Sequence, residues 1–268
     1  MHSLLELPAA AVRDERIHTD DIAVRVASVG KTFARTDSTD LRVLDDINFS
    51  VRKGHVTAIL GASGCGKSTL LNMIAGLLPA DQGRIYLNGT PASDFTDWKR
   101  VAYLFQDDRL LPWRTAIENV EFGLEAERVT RSERRRRAEQ TLHAVGLAGF
   151  YNAYPNALSG GMRSRVALAR SLVKEPKILL LDEPFSKLDP GMRAQMHTEL
   201  LQAQAERGIT VVFVTHDIEE AVVLADEVVV LKPRPGRVRD IVTIDLPRPR
   251  LATDHAVTEQ IRALRALV

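Results

Sequence analysis

The sequence predicts an α/β fold: a mostly parallel sheet with helices on its faces, an antiparallel β subdomain ahead of it, and an α-helical subdomain inserted into it. Three observations carry this reading. Residues 56–60, 178–181 and 209–214 are short, continuous apolar runs, the pattern of strands buried on both faces of a parallel sheet. Helical patterns lie between and after these runs, as alternating strands and helices require. Between residues 101 and 158 the β-branched runs disappear and arginine-rich helical spacing takes over, which marks the inserted helical lobe.

The bulk numbers agree with a globular chain. At about 150 residues per domain, 268 residues make one large domain or a core with a lobe. Lys plus Arg number 36 against 35 Asp plus Glu, a net charge of +1, with 45% hydrophobic and 26% charged residues. That balance argues against a disordered chain and against a generic nucleic-acid binder. The single cysteine, Cys65, excludes an intramolecular disulfide and fits a reducing compartment. Leu4, Leu5 and Leu7 are interrupted by Glu6 with no basic residue before them, so a secretory signal is not expected. No apolar run approaches the roughly 18 residues of a spanning helix.

Taken in order, residues 1–21 have no period and read as a frayed extension. Residues 22–26 and 41–51 are β-type stretches separated by a polar segment, as in antiparallel strands. Residues 56–60 form a strand, glycines end it, and helical spacing runs from residue 67 to 77 before Pro79. In the lobe, Thr130 and Glu133 have capping-box spacing, Ala138, Leu142 and Val145 share a helix face, and Gly146 stops the helix. Residues 232–250 contain five prolines or glycines, and a last helix is expected over residues 255–267.

The chemistry concentrates in three places. Gly61-Ala62-Ser63-Gly64-Cys65-Gly66-Lys67-Ser68-Thr69 sits between strand and helix with the spacing of a phosphate-binding loop, so the core is that of a P-loop NTPase. Glycines let backbone N–H groups turn towards phosphates, Lys67 reaches the β- and γ-phosphates, and Ser68 ligates Mg2+. Cys65 reads as a small loop residue rather than a catalytic thiol, since the phosphate needs only its amide. Asp182 and Glu183 end the run at 178–181, at the carboxyl end of a buried strand where α/β sheets hold ligands. Asp182 is expected to hold Mg2+ and Glu183 to deprotonate the attacking water. Leu158-Ser159-Gly160-Gly161-Met162 opens a helix and forms a second candidate anion site, although one triphosphate already has its loop.

These motifs, with Gln106, Ser186, Leu188, Asp189 and His216 in this order, resemble the nucleotide-binding subunit of ATP-binding-cassette transporters over about residues 22–240. The resemblance implies that Ser159, Gly160, Gly161 and Met162 contact ATP held by the loop of a second copy, so that two subunits close head to tail on two ATP and Mg2+. It implies that Gln106 begins a flexible loop joining core to lobe and senses Mg2+ or the γ-phosphate, and that His216 touches the γ-phosphate. Phe33 fits the position whose ring stacks on adenine, with core packing as the rival reading. Residues 110–114, Asn119 and Val120, and residues 233–237 look like the nitrate, sulfonate and taurine importer subgroup; bicarbonate and thiamine-precursor pyrimidines stay open as substrates.

The implied organisation is an extension over 1–21, an ATP-binding domain over 22–250 and a C-terminal helix over 251–268. The implied partners are a second copy, two integral membrane permease subunits and, indirectly, an external solute-binding protein, with no nucleic acid. The implied location is peripheral, on the cytoplasmic side of the inner membrane. Trp113 reads either as a permease contact or as a buried lobe residue. Arg128, Arg131 and Arg134 to Arg137 read as a solvated face, with contact to anionic lipid or permease as the alternative. Met162 stands where the family usually has glutamine, and Lys187 where it usually has a small residue. A soluble cassette ATPase of repair or translation is disfavoured, because the chain has one cassette and no heptad run. A poorly hydrolysing regulatory module is disfavoured by the intact set of Lys67, Asp182, Glu183 and His216.

Overall fold

The computed structural model describes residues 19–34, 40–186 and 188–268. The 1–18 part of the predicted extension and Lys187 lie outside the described residues. Strands β1 (Ile22–Phe33) and β2 (Leu41–Arg52) pair antiparallel, longer than the residues 22–26 and 41–51 that the sequence marks. With the hairpin β4 (Gln82–Leu87) and β5 (Thr90–Pro91) they make a four-stranded antiparallel sheet of order β2-β1-β4-β5.

The main sheet has six strands in the order β10-β9-β3-β8-β7-β6. Its members are β3 (Val56–Leu60), β6 (Val101–Leu104), β7 (Ile178–Asp182), β8 (Thr210–Thr215), β9 (Glu227–Lys232) and β10 (Arg237–Thr243). All neighbours are parallel except β9 and β10. The continuous apolar runs are explained by two cores, one on each face. Val56, Ala58, Leu60, Leu179, Leu181, Val211 and Phe213 face the helical side. The intervening Ile59, Ile178, Leu180, Val212 and Val214 face the antiparallel sheet. Because successive side chains alternate across a strand, a central strand with a core on each face is apolar at nearly every position, Thr57 of β3 being a buried exception.

Helix α1 (Lys67–Ile74) leaves the loop after β3 and stops earlier than Pro79 would require. Gly76 adopts φ +70° over the Trp98 ring, where a Cβ would lie 2.4 Å from the indole, so the chain turns there. The lobe range of 101–158 also needs correction at its start. Val101–Leu104 is β6, an edge strand of the main sheet, and the helices begin only with α2 (Ala116–Phe122) and α3 (Arg131–Ala144). The run Val-Ala-Tyr-Leu has only one β-branched residue and so does not register as a β-type run.

Ala138, Leu142 and Val145 are buried as expected. The capping box at Thr130 is only half made. Thr130 accepts from the Glu133 amide, but the Glu133 carboxylate is taken by Arg136 and Arg137, which drive its pKa down to about 2. The reciprocal box forms instead at Thr115 and Glu118, ahead of α2. The arginine face of α3 is laced with ion pairs along the helix, Arg135 with Glu139 and both Arg136 and Arg137 with Glu133.

Helices α4 (Gly160–Leu172), α5 (Pro190–Arg207), α6 (Ile218–Leu224) and α7 (His255–Arg265) complete the fold. The proline-rich stretch before α7 contains β10 and the buried Arg250. The Arg250 guanidinium donates to the carbonyls of Val222 (2.8 Å), Ala225 (2.5 Å), Ile244 (3.1 Å) and Leu246 (2.8 Å). Arg248 donates to Leu224 O (2.5 Å) and pairs with Asp226 (2.8 Å). Two arginines thus satisfy the open carbonyls at the end of α6. Arg250→Met keeps the stem but strands those acceptors, and is expected to lower unfolding free energy in urea by about 3 kcal/mol; a loss below about 1 kcal/mol would mean that the carbonyls find other donors.

Candidate functional site

Three adjacent parallel strands deliver the motif residues to one end of the sheet. β3 runs into the phosphate loop, β7 ends at Asp182 and β8 ends at Thr215, with Leu60 opposite Thr215 and Asp182 opposite Val214. A depression of about 230 Å3 opens there, lined by Val43, Ser63, Gly64, Gly66, Lys67, Ser68, Thr69 and Glu183. A larger cavity of about 480 Å3, between the end of α1 and the β4–β5 hairpin, is lined by none of the motif residues.

The loop closes tightly on its own support. Gly66 caps α1 at φ +98°, and a Cβ there would lie 2.6 Å from Leu44 Cδ2 on β2. The Lys67 ammonium is buried and donates to Gly61 O (2.8 Å) and Ala62 O (3.2 Å), with Glu183 Oε1 3.9 Å away. An ammonium solvated by loop carbonyls is poised to exchange them for phosphate oxygens. Cys65 is buried beneath the loop, where a Cβ on Gly61 would come within 2.8 Å of its sulfur. Burial pushes the thiol pKa up, the reverse of an activated cysteine.

Asp182 sits at the mouth of β7 with both oxygens engaged. Ser68 Oγ donates to Oδ1 at 2.8 Å and the Tyr103 hydroxyl to Oδ2 at 3.3 Å. Burial raises the Asp182 pKa, against the opposing effect of these two donors. Tyr103 is pushed well above its ordinary value by burial and by the Asp182 charge. Tyr103 is a site residue that the sequence did not reveal; its signal, a tyrosine three residues before Gln106, becomes readable only once β6 is known to pair with β7.

Glu183 has φ +44°, an unusual value for a residue with a side chain. Its backbone is held from both sides, donating to Val214 O (3.1 Å) and accepting from Ser186 Oγ (2.9 Å). The carboxylate lies between Lys67 and His216, whose Nδ1 is 3.3 Å from Oε2. Asp217 caps α6 by accepting from the amides of Glu219 and Glu220, and pairs with Arg193 of α5 at 3.2 Å.

The structure therefore brings together Lys67, Ser68, Asp182, Glu183 and His216 within one chain. Three other expectations are not among the residues lining the depression. Phe33 ends β1 with its ring exposed and the Lys31 ammonium 5.5 Å from the ring centroid, which removes the core-packing alternative. Gln106 follows β6 and is exposed. Ser159 caps α4 by accepting from the Met162 amide (3.3 Å), so that Ser159, Gly160, Gly161 and Met162 form a helix start without a phosphate loop of this chain beside them. Trp113 is 70% exposed, which removes the buried-tryptophan alternative. Asn119 is fully buried and ties the loop around Trp113, accepting from Leu111 N (2.7 Å) and donating to the carbonyls of Leu111, Arg114 and Thr115.

A phosphate loop at the end of a central parallel strand, with an acidic pair at the end of a neighbouring strand, defines a P-loop nucleotide-binding protein. The family model described as ABC transporter matches residues 44–186. The taurine import ATP-binding protein TauB of Burkholderia pseudomallei is 42% identical over 226 residues, 84% of each chain. The aliphatic sulfonates import ATP-binding protein SsuB of Mycobacterium avium is 43% identical over 243 residues, 91% of this chain and 90% of its own. Among solved structures, the dimeric post-hydrolysis state of the ATP-binding cassette MJ0796, bound to ADP and Pi, superposes with a TM-score of 0.75 at 32% identity, covering 84% of this chain and all of that one. The chain belongs to the ABC transporter ATP-binding family.

The buried Cys65 yields a direct check. Its alkylation by iodoacetamide in the folded protein is expected to run at least about tenfold slower than in the urea-unfolded chain, and Cys65→Ala to retain nucleotide binding. Rapid labelling of the folded chain would place the thiol at the surface instead.

Proposed function

We propose that this chain is the ATP-hydrolysing subunit of an importer for a small anion of the sulfonate or taurine class, acting as a head-to-tail homodimer beneath two permease subunits. The observation that carries the catalytic part is Glu183, held by its backbone between Lys67 and His216 at the mouth of the phosphate loop. The transport part rests on the similarity to TauB and SsuB, whose names state taurine and aliphatic sulfonate import.

In this reading the triphosphate enters the depression and Lys67 exchanges the Gly61 and Ala62 carbonyls for β- and γ-phosphate oxygens. The α1 N-terminus and the loop amides face the same anion. The donor set fits Mg2+, since Ser68 and Asp182 are hard oxygen ligands already in contact at 2.8 Å. Ser68 and Asp182 would hold the ion, which supplies charge neutralisation on the phosphates. Glu183 accepts the proton of the attacking water, and His216 orients that carboxylate and faces the γ-phosphate. Phe33 is assigned to the adenine ring and Gln106 to sensing of the γ-phosphate or Mg2+.

Ser159, Gly160, Gly161 and Met162 complete the site of a second copy, since their helix start has no loop of its own chain to face. The exposed Trp113, on the loop stapled by Asn119, is assigned to the permease, which makes the subunit peripheral at the cytoplasmic side of the inner membrane. No helix among the described residues is long and apolar enough to cross a membrane.

Two measurements test this. Glu183→Gln is expected to bind ATP with near-normal affinity and dimerise, while hydrolysing it at least about a hundredfold more slowly; near-normal turnover would remove Glu183 from the role of base. The tagged chain, purified from detergent-solubilised membranes, is expected to retain a stoichiometric multi-span permease, and recovery on ribosomes or nucleic acid would exclude the transport role.

A further inference from the structure

The segment after Gln106 is clamped to the helix that carries Ser159. Arg163 and Arg170 lie on one face of α4, two turns apart, and both reach that segment. Arg163 Nε donates to Asp108 Oδ2 at 3.0 Å, while its Nη1 donates to Leu158 O at 2.9 Å. Arg170 donates to Asp108 O at 2.6 Å and Arg109 O at 2.8 Å. Asp108 uses its other oxygen, Oδ1, to accept from Leu110 N at 3.2 Å. One carboxylate therefore fixes the turn in its own segment and the arginine that holds the first residue of the 158–162 motif. Further on, buried Asn119 binds residues 111–115 to α2. Planar guanidinium groups with several donors suit such a joint, because each fixes an orientation as well as a distance.

We propose that Arg163 and Asp108 are positioning residues for the phosphate contact made by Ser159, and that residues from Asp108 onwards move with α4 as one piece. The consequence is mechanical. A displacement of the loop around Trp113 is transmitted to Leu158 and Ser159 through Arg163, and to the later turns of α4 through Arg170. Arg170 supports the same joint from a partly buried position, with Tyr103, Phe105, Arg109 and Arg170 lining a cavity of about 380 Å3 beside it. The functional half of this inference rests on the head-to-tail dimer proposed above; the clamp itself does not.

The test uses Asp108→Ser, Arg163→Met and the double variant, each in the Glu183→Gln background. Asp108→Ser keeps a short acceptor for Leu110 N, and Arg163→Met keeps the apolar stem. In the nucleotide-free chain, amide hydrogen exchange at residues 158–163 is expected to speed up about tenfold in Asp108→Ser, although the substitution lies fifty positions away. ATP-driven dimerisation is expected to weaken about tenfold in each single variant and no further in the double. Binding of a fluorescent ATP analogue to the monomer should stay within about twofold of the parent, because the phosphate loop is untouched. Unchanged exchange at 158–163, or additive losses in the double variant, would overturn the proposal. If the Glu183→Gln parent itself fails to dimerise with ATP, the dimer reading falls, while the exchange measurement still decides the clamp.

Discussion

Everything at the site depends on the parallel pairing of three strands, β3, β8 and β7. Parallel neighbours end on the same edge of a sheet, so the loop after Leu60, the acids after Leu181 and the histidine after Thr215 converge although they lie far apart in sequence. The pairing is strongly specified because every residue of β3 and β8 is buried, and a slip of one residue would exchange the two cores and move each motif side chain to the wrong face. The apolar runs thus do two jobs: they make the sheet's two cores, and they set the height at which Lys67, Asp182 and His216 emerge.

At that edge the electrostatics are arranged before any ligand arrives. A buried ammonium is costly unless it is paired or hydrogen-bonded, and Lys67 meets the requirement with two loop carbonyls and a nearby carboxylate. Asp182 meets its own with two hydroxyl donors, one from the loop helix and one from Tyr103 on the neighbouring edge strand β6. Glu183 is the strained member. Its left-handed backbone conformation persists because β8 and Ser186 hold it from opposite sides, and strain kept in this way is common where a side chain must point somewhere its neighbours do not. The outcome is a carboxylate aimed between a cation and an imidazole rather than back along β7.

Much of this was legible in the sequence because it is written in short-range patterns: the loop spacing, the strand–acid–acid junction and the serine-glycine helix start. What escaped was set by tertiary pairing. The four residues of β6 carry no periodicity of their own and become a strand only because β7 offers an edge, and with β6 went the role of Tyr103. The capping box at Thr130 had the right spacing, but two arginines one turn on outcompeted the backbone amide for the Glu133 carboxylate. Between the prolines and glycine at 233–236 and the prolines at 247 and 249, β10 forms by antiparallel pairing with β9, a strand the sequence did not mark. Phe33 and Gln106 were singled out by resemblance rather than by a local pattern, and neither they nor the 158–162 motif line the depression of the phosphate loop.

The C-terminal segment gains a physical role from the same reasoning. Helix α6 begins at Ile218, with only its cap Asp217 between it and His216, and is only seven residues long, so its own hydrogen bonds hold it weakly. Its start is fixed by Asp217, which both caps it and pairs with Arg193 on α5. Its end is fixed by Arg248 and Arg250, which arrive from beyond β10 and occupy the carbonyls of Val222, Leu224 and Ala225. Helix α7 then packs its buried Val257 and Leu264 into the same core as Ala221, Val222 and Leu224. A short helix anchored at both ends leaves the preceding histidine little backbone freedom, so the geometry between His216 and Glu183 is set in part by residues that never approach the nucleotide.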